Sequence, residues 1–131
     1  MSEQFLTVKS YLQDLDLDIE EEDAGEELVV VNDEDRGISH LIVDCEDPIL
    51  IIEQAIMPIP HVPGDLYKRL LELNRTLIHG AFALDGETGI ILFRDTLRLD
   101  TLDRSELEGS INALELALAE NAAELLEYSK K

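Results

Sequence analysis

The chain has 131 residues, 45% of them apolar, which suits one domain (1–131) with a hydrophobic core of its own. Thirty Asp and Glu against ten Lys and Arg leave a formal net charge of −20. That charge repels DNA, RNA and anionic membrane surfaces, so no nucleic-acid partner is expected, and a partner drawn in electrostatically should carry a basic segment.

Cys45 is the single cysteine, so no intrachain disulfide can form and a reducing compartment is the simpler setting. No cation stands beside it in Ile42-Val43-Asp44-Cys45-Glu46 to stabilise a thiolate, which fits a packed structural cysteine rather than a nucleophile. Met1 to Leu6 lacks a basic region followed by an apolar run. No stretch approaches the ~20 apolar residues that span a bilayer. A cytoplasmic protein without membrane insertion is the expectation.

In chain order, Phe5, Val8, Leu12 and Leu15 recur at helical spacing, with Ser2 placed to cap the first turn. Leu15, Leu17 and Ile19 then alternate with acids, as the exit from the helix or the entry to a strand, and residues 20–27 read as a charged loop. Three strands follow: Leu28 to Asn32, Ile38 to Cys45 and Ile49 to Ile59, joined by the turns Asp33–Gly37 and Glu46–Pro48. The connections are too short for crossover helices, so the strands form an antiparallel meander.

Pro58, Pro60 and Pro63 end the third strand, and Pro63 suits the first position of a helix expected to run to about Ile78. Leu66, Leu70, Leu73 and Leu77 make one apolar stripe on it, and Tyr67, Leu71 and Ile78 a second beside it. Together they span roughly 160° of the helix surface, wider than one sheet contact usually needs. The second stripe suits either further intramolecular packing or a subunit contact.

His79-Gly80 closes that helix, and residues 81–85 and 90–97 pair across the turn Asp85-Gly86-Glu87-Thr88-Gly89. Asp103 is the expected N-cap of the last helix, with Glu106 completing a capping box and Leu102 and Leu107 a hydrophobic staple. Ile111, Leu114, Leu118, Ala122 and Leu125 continue its apolar face.

Little of this is reactive chemistry. Asp14, Asp16, Asp18 and Glu20 imitate a calcium loop, but Ile19 stands where the sharp turn needs glycine. His40, His61 and His79 lack metal-ligand spacing, and no phosphate loop, nucleophile elbow or zinc-protease motif occurs. Neither a metal nor a cofactor is expected, and no catalytic residue stands out. The absence of Trp and the scarcity of Phe and Tyr also leave no stacking platform for single-stranded nucleic acid.

The order is helix, three strands, helix, two strands, helix (α-βββ-α-ββ-α, an α+β chain). It resembles the class I type III secretion chaperones (Tir chaperone type) and the related YbjN-like proteins. Leu70-x-x-Leu73-Asn74 followed by Gly80-x-Phe82-x-Leu84-Asp85-x-Glu87-x-Gly89 carries the resemblance. It continues through Ile91-x-Phe93, Leu97-x-Leu99 and the Leu102/Leu107 start of the last helix. The resemblance implies one twisted antiparallel sheet with helices packed on it, and a homodimer built on the middle helix through Leu66, Tyr67, Leu70, Leu71, Leu73 and Leu77. It also implies a client surface on the first helix and the sheet, involving Phe5, Val8, Leu12, Ile49, Ile51 and Ile56.

The function expected is that of a non-enzymatic protein-binding module, a chaperone or regulatory adaptor that holds a segment of a partner protein. A small-ligand-binding sensory domain of YbjN type is the alternative, and an enzyme using carboxylates a third.

Overall fold

The computed structural model describes residues 2–131. Ser2 caps helix α1 (Glu3–Asp14), its hydroxyl accepting a hydrogen bond from the Phe5 amide at 3.1 Å. The stripe Phe5, Val8 and Leu12 is buried. Strands β1 (Asp18–Asp23), β2 (Leu28–Asp33), β3 (Ile38–Glu46) and β4 (Ile49–Pro58) follow, with a single 3-10 turn at Glu34–Arg36. Helix α2 (Leu66–Asn74), strands β5 (Ala81–Asp85) and β6 (Ile90–Arg98) and helix α3 (Arg104–Ser129) complete the chain. The six strands lie in the order β1-β2-β3-β4-β6-β5, with every pairing antiparallel. The α+β class and the meander stand.

Two boundaries differ from the sequence expectation. Four strands precede α2, not three, because the acidic stretch expected as a loop pairs with β2 from Asp18↔Asn32 to Asp23↔Leu28. Backbone pairing needs no apolar side chain, and at the sheet edge the acids of β1 remain in water. Helix α2 is also shorter than the span from Pro63 to Ile78. Gly64 adopts φ +57 just before it. At its far end the Arg75 and Thr76 amides turn back to the Glu72 and Leu73 carbonyls, while Thr76 Oγ1 also donates to Leu73 at 2.7 Å.

One core gathers α1, α2 and α3 against a single face of the sheet. Phe5, Leu12, Leu66, Phe93, Leu107 and Ile111 are among its fully buried members, each worth about 1.5–3 kcal/mol of transfer free energy. A kink in β3, where His40 takes φ +52, turns both Ile38 and Leu41 inward. Buried Gln54 of β4 fixes that kink by accepting from the Ser39 amide at 3.0 Å and donating to the Gly37 carbonyl at 3.1 Å.

At α3, Asp103 caps the helix by accepting from the Glu106 amide at 2.7 Å, and Leu107 is buried beside half-buried Leu102. The inner face continues through Ile111, Leu114 and Ala117 to Asn121 and Leu125; Ala122 points outward instead. Arg69 grips Glu124 through two hydrogen bonds of 2.6 and 3.1 Å, and the Tyr128 hydroxyl donates to Asp65 at 2.7 Å. These contacts bind α2 to the C-terminal half of α3.

Candidate functional site

The groups that could do chemistry are placed unfavourably for it. Cys45 is buried, and desolvation, reinforced by Glu27, Asp44 and Glu46, pushes its thiol up to about 12, which keeps it protonated and inert near neutrality. Ser39 Oγ stands 3.3 Å from His40 Nδ1, and His40 Nε2 stands 4.0 Å from Glu20. This imitates a hydrolase triad, but Ser39 and His40 lie exposed on the β3 kink, and Glu20, exposed on the edge strand β1, is engaged by Asn32. Nothing there shields a reaction from water. Among the described residues no three His, Cys, Asp or Glu are arranged to hold a metal, and no helix is long and apolar enough to cross a membrane.

The residues expected at a subunit contact divide into two sets. Leu66, Leu70 and Leu73 are buried in the protomer's own core and Leu77 packs against it, so these four are not free for a partner. Tyr67 and Leu71 point outward, Leu71 with 71% of its surface exposed, and Ile78 just beyond the helix is 83% exposed. Leu84 of β5 joins them. A shallow apolar groove between α2 and β5 is lined by Tyr67, Leu71, Phe82 and Leu84. The wide apolar arc on α2 is therefore half core and half surface.

The expected client residues divide as well. Phe5, Val8 and Leu12 are fully occupied by the core. Helical spacing looks the same whether a stripe faces its own sheet or a client, and here the sheet has taken it. Ile56 sits at the β4 bulge and packs toward α3 beside Met57, Leu118 and Leu125. Ile49 and Ile51 instead lie half-buried on the opposite face of the sheet.

Among the described residues no helix covers that opposite face. Cross-strand register aligns Leu28, Asp44, Ile51 and Thr96 in one row and Val30, Ile42, Glu53 and Arg94 in the next. Ala55, Leu92 and Ala83 form a third. A sheet with one face in water ordinarily alternates apolar with polar residues. Here the outward positions Leu28, Val30, Ile42, Ile51 and Leu92 are apolar too. This signal was present in the sequence, but the strand register was needed to assemble it.

The two sheet edges differ. At β5, the Asn74 side chain accepts from the Phe82 amide at 2.7 Å and donates to the Phe82 carbonyl at 3.1 Å. It thereby imitates a neighbouring strand at that point. At the other edge, β1 presents Asp18, Glu20, Glu21, Glu22 and Asp23.

A model of the CesT_Tir_1 family matches residues 1–131. The chain belongs to the CesT_Tir_1 family. Solved structures share the fold of this family member at low identity. YbjN from E. coli, described as a putative transcription regulator, superposes with a TM-score of 0.69 at 12% identity over 92% of both chains. An uncharacterized protein from Methanothermobacter thermautotrophicus gives 0.67 at 22% identity, over 95% of this chain and 97% of its own. The Yersinia pestis type III secretion chaperone SycH, solved with a stable fragment of YscM2, gives 0.64 at 14% identity over 88% and 98% of the two chains. No curated protein matches the CesT_Tir_1 chain in sequence.

Proposed function

We propose that this chain is a non-catalytic protein-binding module, a cytoplasmic chaperone or adaptor that works as a homodimer and holds an extended segment of a partner protein. The observation that carries this reading is the uncovered sheet face, where Leu28, Ile42, Ile51 and Leu92 offer apolar surface that no helix among the described residues uses. Such a face suits an extended segment, whose side chains alternate with the period of the strands beneath. The free edge of β1 offers the same segment backbone pairing, and its acids favour basic residues there. The shared fold with SycH, solved with a fragment of another protein, supports the same reading. Tyr67, Leu71, Ile78 and Leu84 form the proposed dimer seam.

The test is recovery of a stoichiometric partner with tagged protein from its native lysate, followed by proteolytic trimming of the complex. A short segment of the partner should survive trimming, and Ile51→Asp should abolish its recovery while leaving the circular dichroism unchanged. Undiminished recovery with Ile51→Asp would remove the sheet face from the reading.

A further inference from the structure

The uncovered face is not uniformly apolar: a carboxylate stands among its hydrocarbon side chains. Asp44 of β3 lies opposite Leu28 of β2 on one side and Ile51 of β4 on the other. Its Oδ1 is buried and has no hydrogen-bond partner among the described residues. An acceptor left in that condition costs about 1–3 kcal/mol.

The titratable groups around it are all acidic: Glu46 on its own strand, Glu26 in the β1–β2 turn and Glu53 on β4. Arg94 neutralises Glu53 at 2.8 Å, whereas no Lys or Arg pairs with Asp44 among the described residues. Desolvation, then repulsion from Glu46, pushes the Asp44 carboxyl up to about 6. The protein thus holds an acid whose ionised form has no cation of its own chain paired with it among the described residues and would be stabilised by an incoming one.

We propose that this face seats a strand-like segment of a partner protein that lays apolar side chains on Leu28, Ile42 and Ile51 and pairs one Arg or Lys with Asp44. The proposal rests on the protein-binding reading above and specifies the chemistry of the bound segment. Arginine fits better than lysine, because its planar fork can engage the carboxylate while its stem lies on the flanking hydrocarbon. The cation relieves the buried oxygen and the repulsion from Glu46 together, so the pair should count for more than a rim contact.

The probes are two fluorescent 12-residue peptides with Ser at the even positions and Val at the odd ones, so that one face is apolar; the central Val is replaced by Arg in one (the Val–Arg peptide) and by Gln in the other, and each is titrated with full-length protein at pH 7.5 and 0.15 M NaCl. Asp44→Asn is compared with Glu120→Gln, which removes one exposed charge from α3. The Val–Arg peptide should bind, Asp44→Asn should weaken it about tenfold, the size of one charge-assisted hydrogen bond, and Glu120→Gln should change it less than about twofold.

Equal losses for the two variants would mean diffuse attraction by the net charge and would overturn the proposal. Equal affinity for both peptides, indifferent to Asp44→Asn, would overturn the Asp44 pairing and leave the protein-binding reading standing. No binding of either peptide would overturn the face as a seat for such segments, and recovery of a stoichiometric partner from the native lysate then decides the broader reading by itself.

Folding of the variant is checked separately. The folded-state value of about 6 lies above the ordinary 3.8, so ionised Asp44 detracts from stability as pH rises through that interval. Asp44→Asn removes that penalty, and its melting temperature at pH 7.5 should equal or exceed that of the original protein.

Discussion

At the scale of single residues, Gly80 shows how much a position can demand. Its φ is +73, and an added Cβ would stand 2.7 Å from Phe93 Cε1 and 3.0 Å from the Arg94 carbonyl. Phe93 cannot give way, because it is fully buried and held edge-to-face with Phe82, ring centroids 6.1 Å apart at 88°. Gly80→Ala therefore combines left-handed strain of about 1–2 kcal/mol with overpacking of about 1–3 kcal/mol. The urea midpoint should fall accordingly, with its slope unchanged. Gly89, at φ +70 with open space around it, should cost only the strain. Equal losses at the two positions would show that crowding by Phe93 plays no part. The sequence marks Gly80 as the end of a helical segment; its contact with Phe93 arises only when β6 folds over it.

At the scale of elements, the Asn74 clamp decides which sheet edge stays open. Removing it by Asn74→Ala leaves the Phe82 amide and carbonyl without these partners, at about 1–3 kcal/mol for partly buried groups. Hydrogen exchange at the Phe82 amide should accelerate, and the variant should self-associate more readily through the freed edge of β5. An unchanged exchange rate would mean that α2 itself protects the strand. At β1 the device is different: like charges on Glu20, Glu21, Glu22 and Asp23 oppose pairing with a second copy while tolerating a basic strand.

The same distinction explains what was legible in the sequence. Strands β2 to β6 carry apolar alternation and well-marked turns, and α1 and α3 carry caps, so their existence could be read directly. Strand β1 could not be, because its structure comes from backbone pairing to Leu28–Asp33 and its side chains are those of a loop. Periodicity also overran α2, since Leu77 and Ile78 extend the apolar pattern past the point where Asn74 turns to Phe82. Stripes announced faces, but not what each face meets. Phe5, Val8 and Leu12 meet the sheet, whereas Leu71 meets water. Of the candidate site, Tyr67, Leu71, Ile49 and Ile51 were legible as apolar positions, while Asp44 needed the strand register to set it between Leu28 and Ile51.

At the scale of the whole molecule, the proposed dimer must form against the charge. Two copies at −20 each repel at long range, whereas contact between Tyr67, Leu71, Ile78 and Leu84 is apolar and acts only when they touch. Salt separates the two effects. The Debye length shortens from ~30 Å at 0.01 M to ~10 Å at 0.1 M, which screens the repulsion and leaves apolar contact intact. Sedimentation equilibrium should therefore show the population shifting from monomer to dimer as NaCl rises from 0.01 M to 0.5 M. Leu71→Asp should hold the protein monomeric at both salts with its fold preserved, since that side chain serves no core. Leu70→Asp, by contrast, should unfold it, because the charge would be placed in the core. A dimer that dissociates as salt rises would have to be held by ion pairs, and a dimer indifferent to Leu71→Asp would have to be built elsewhere. Either result would remove α2 as the seam and return the Tyr67–Leu84 groove to the surfaces open to a partner.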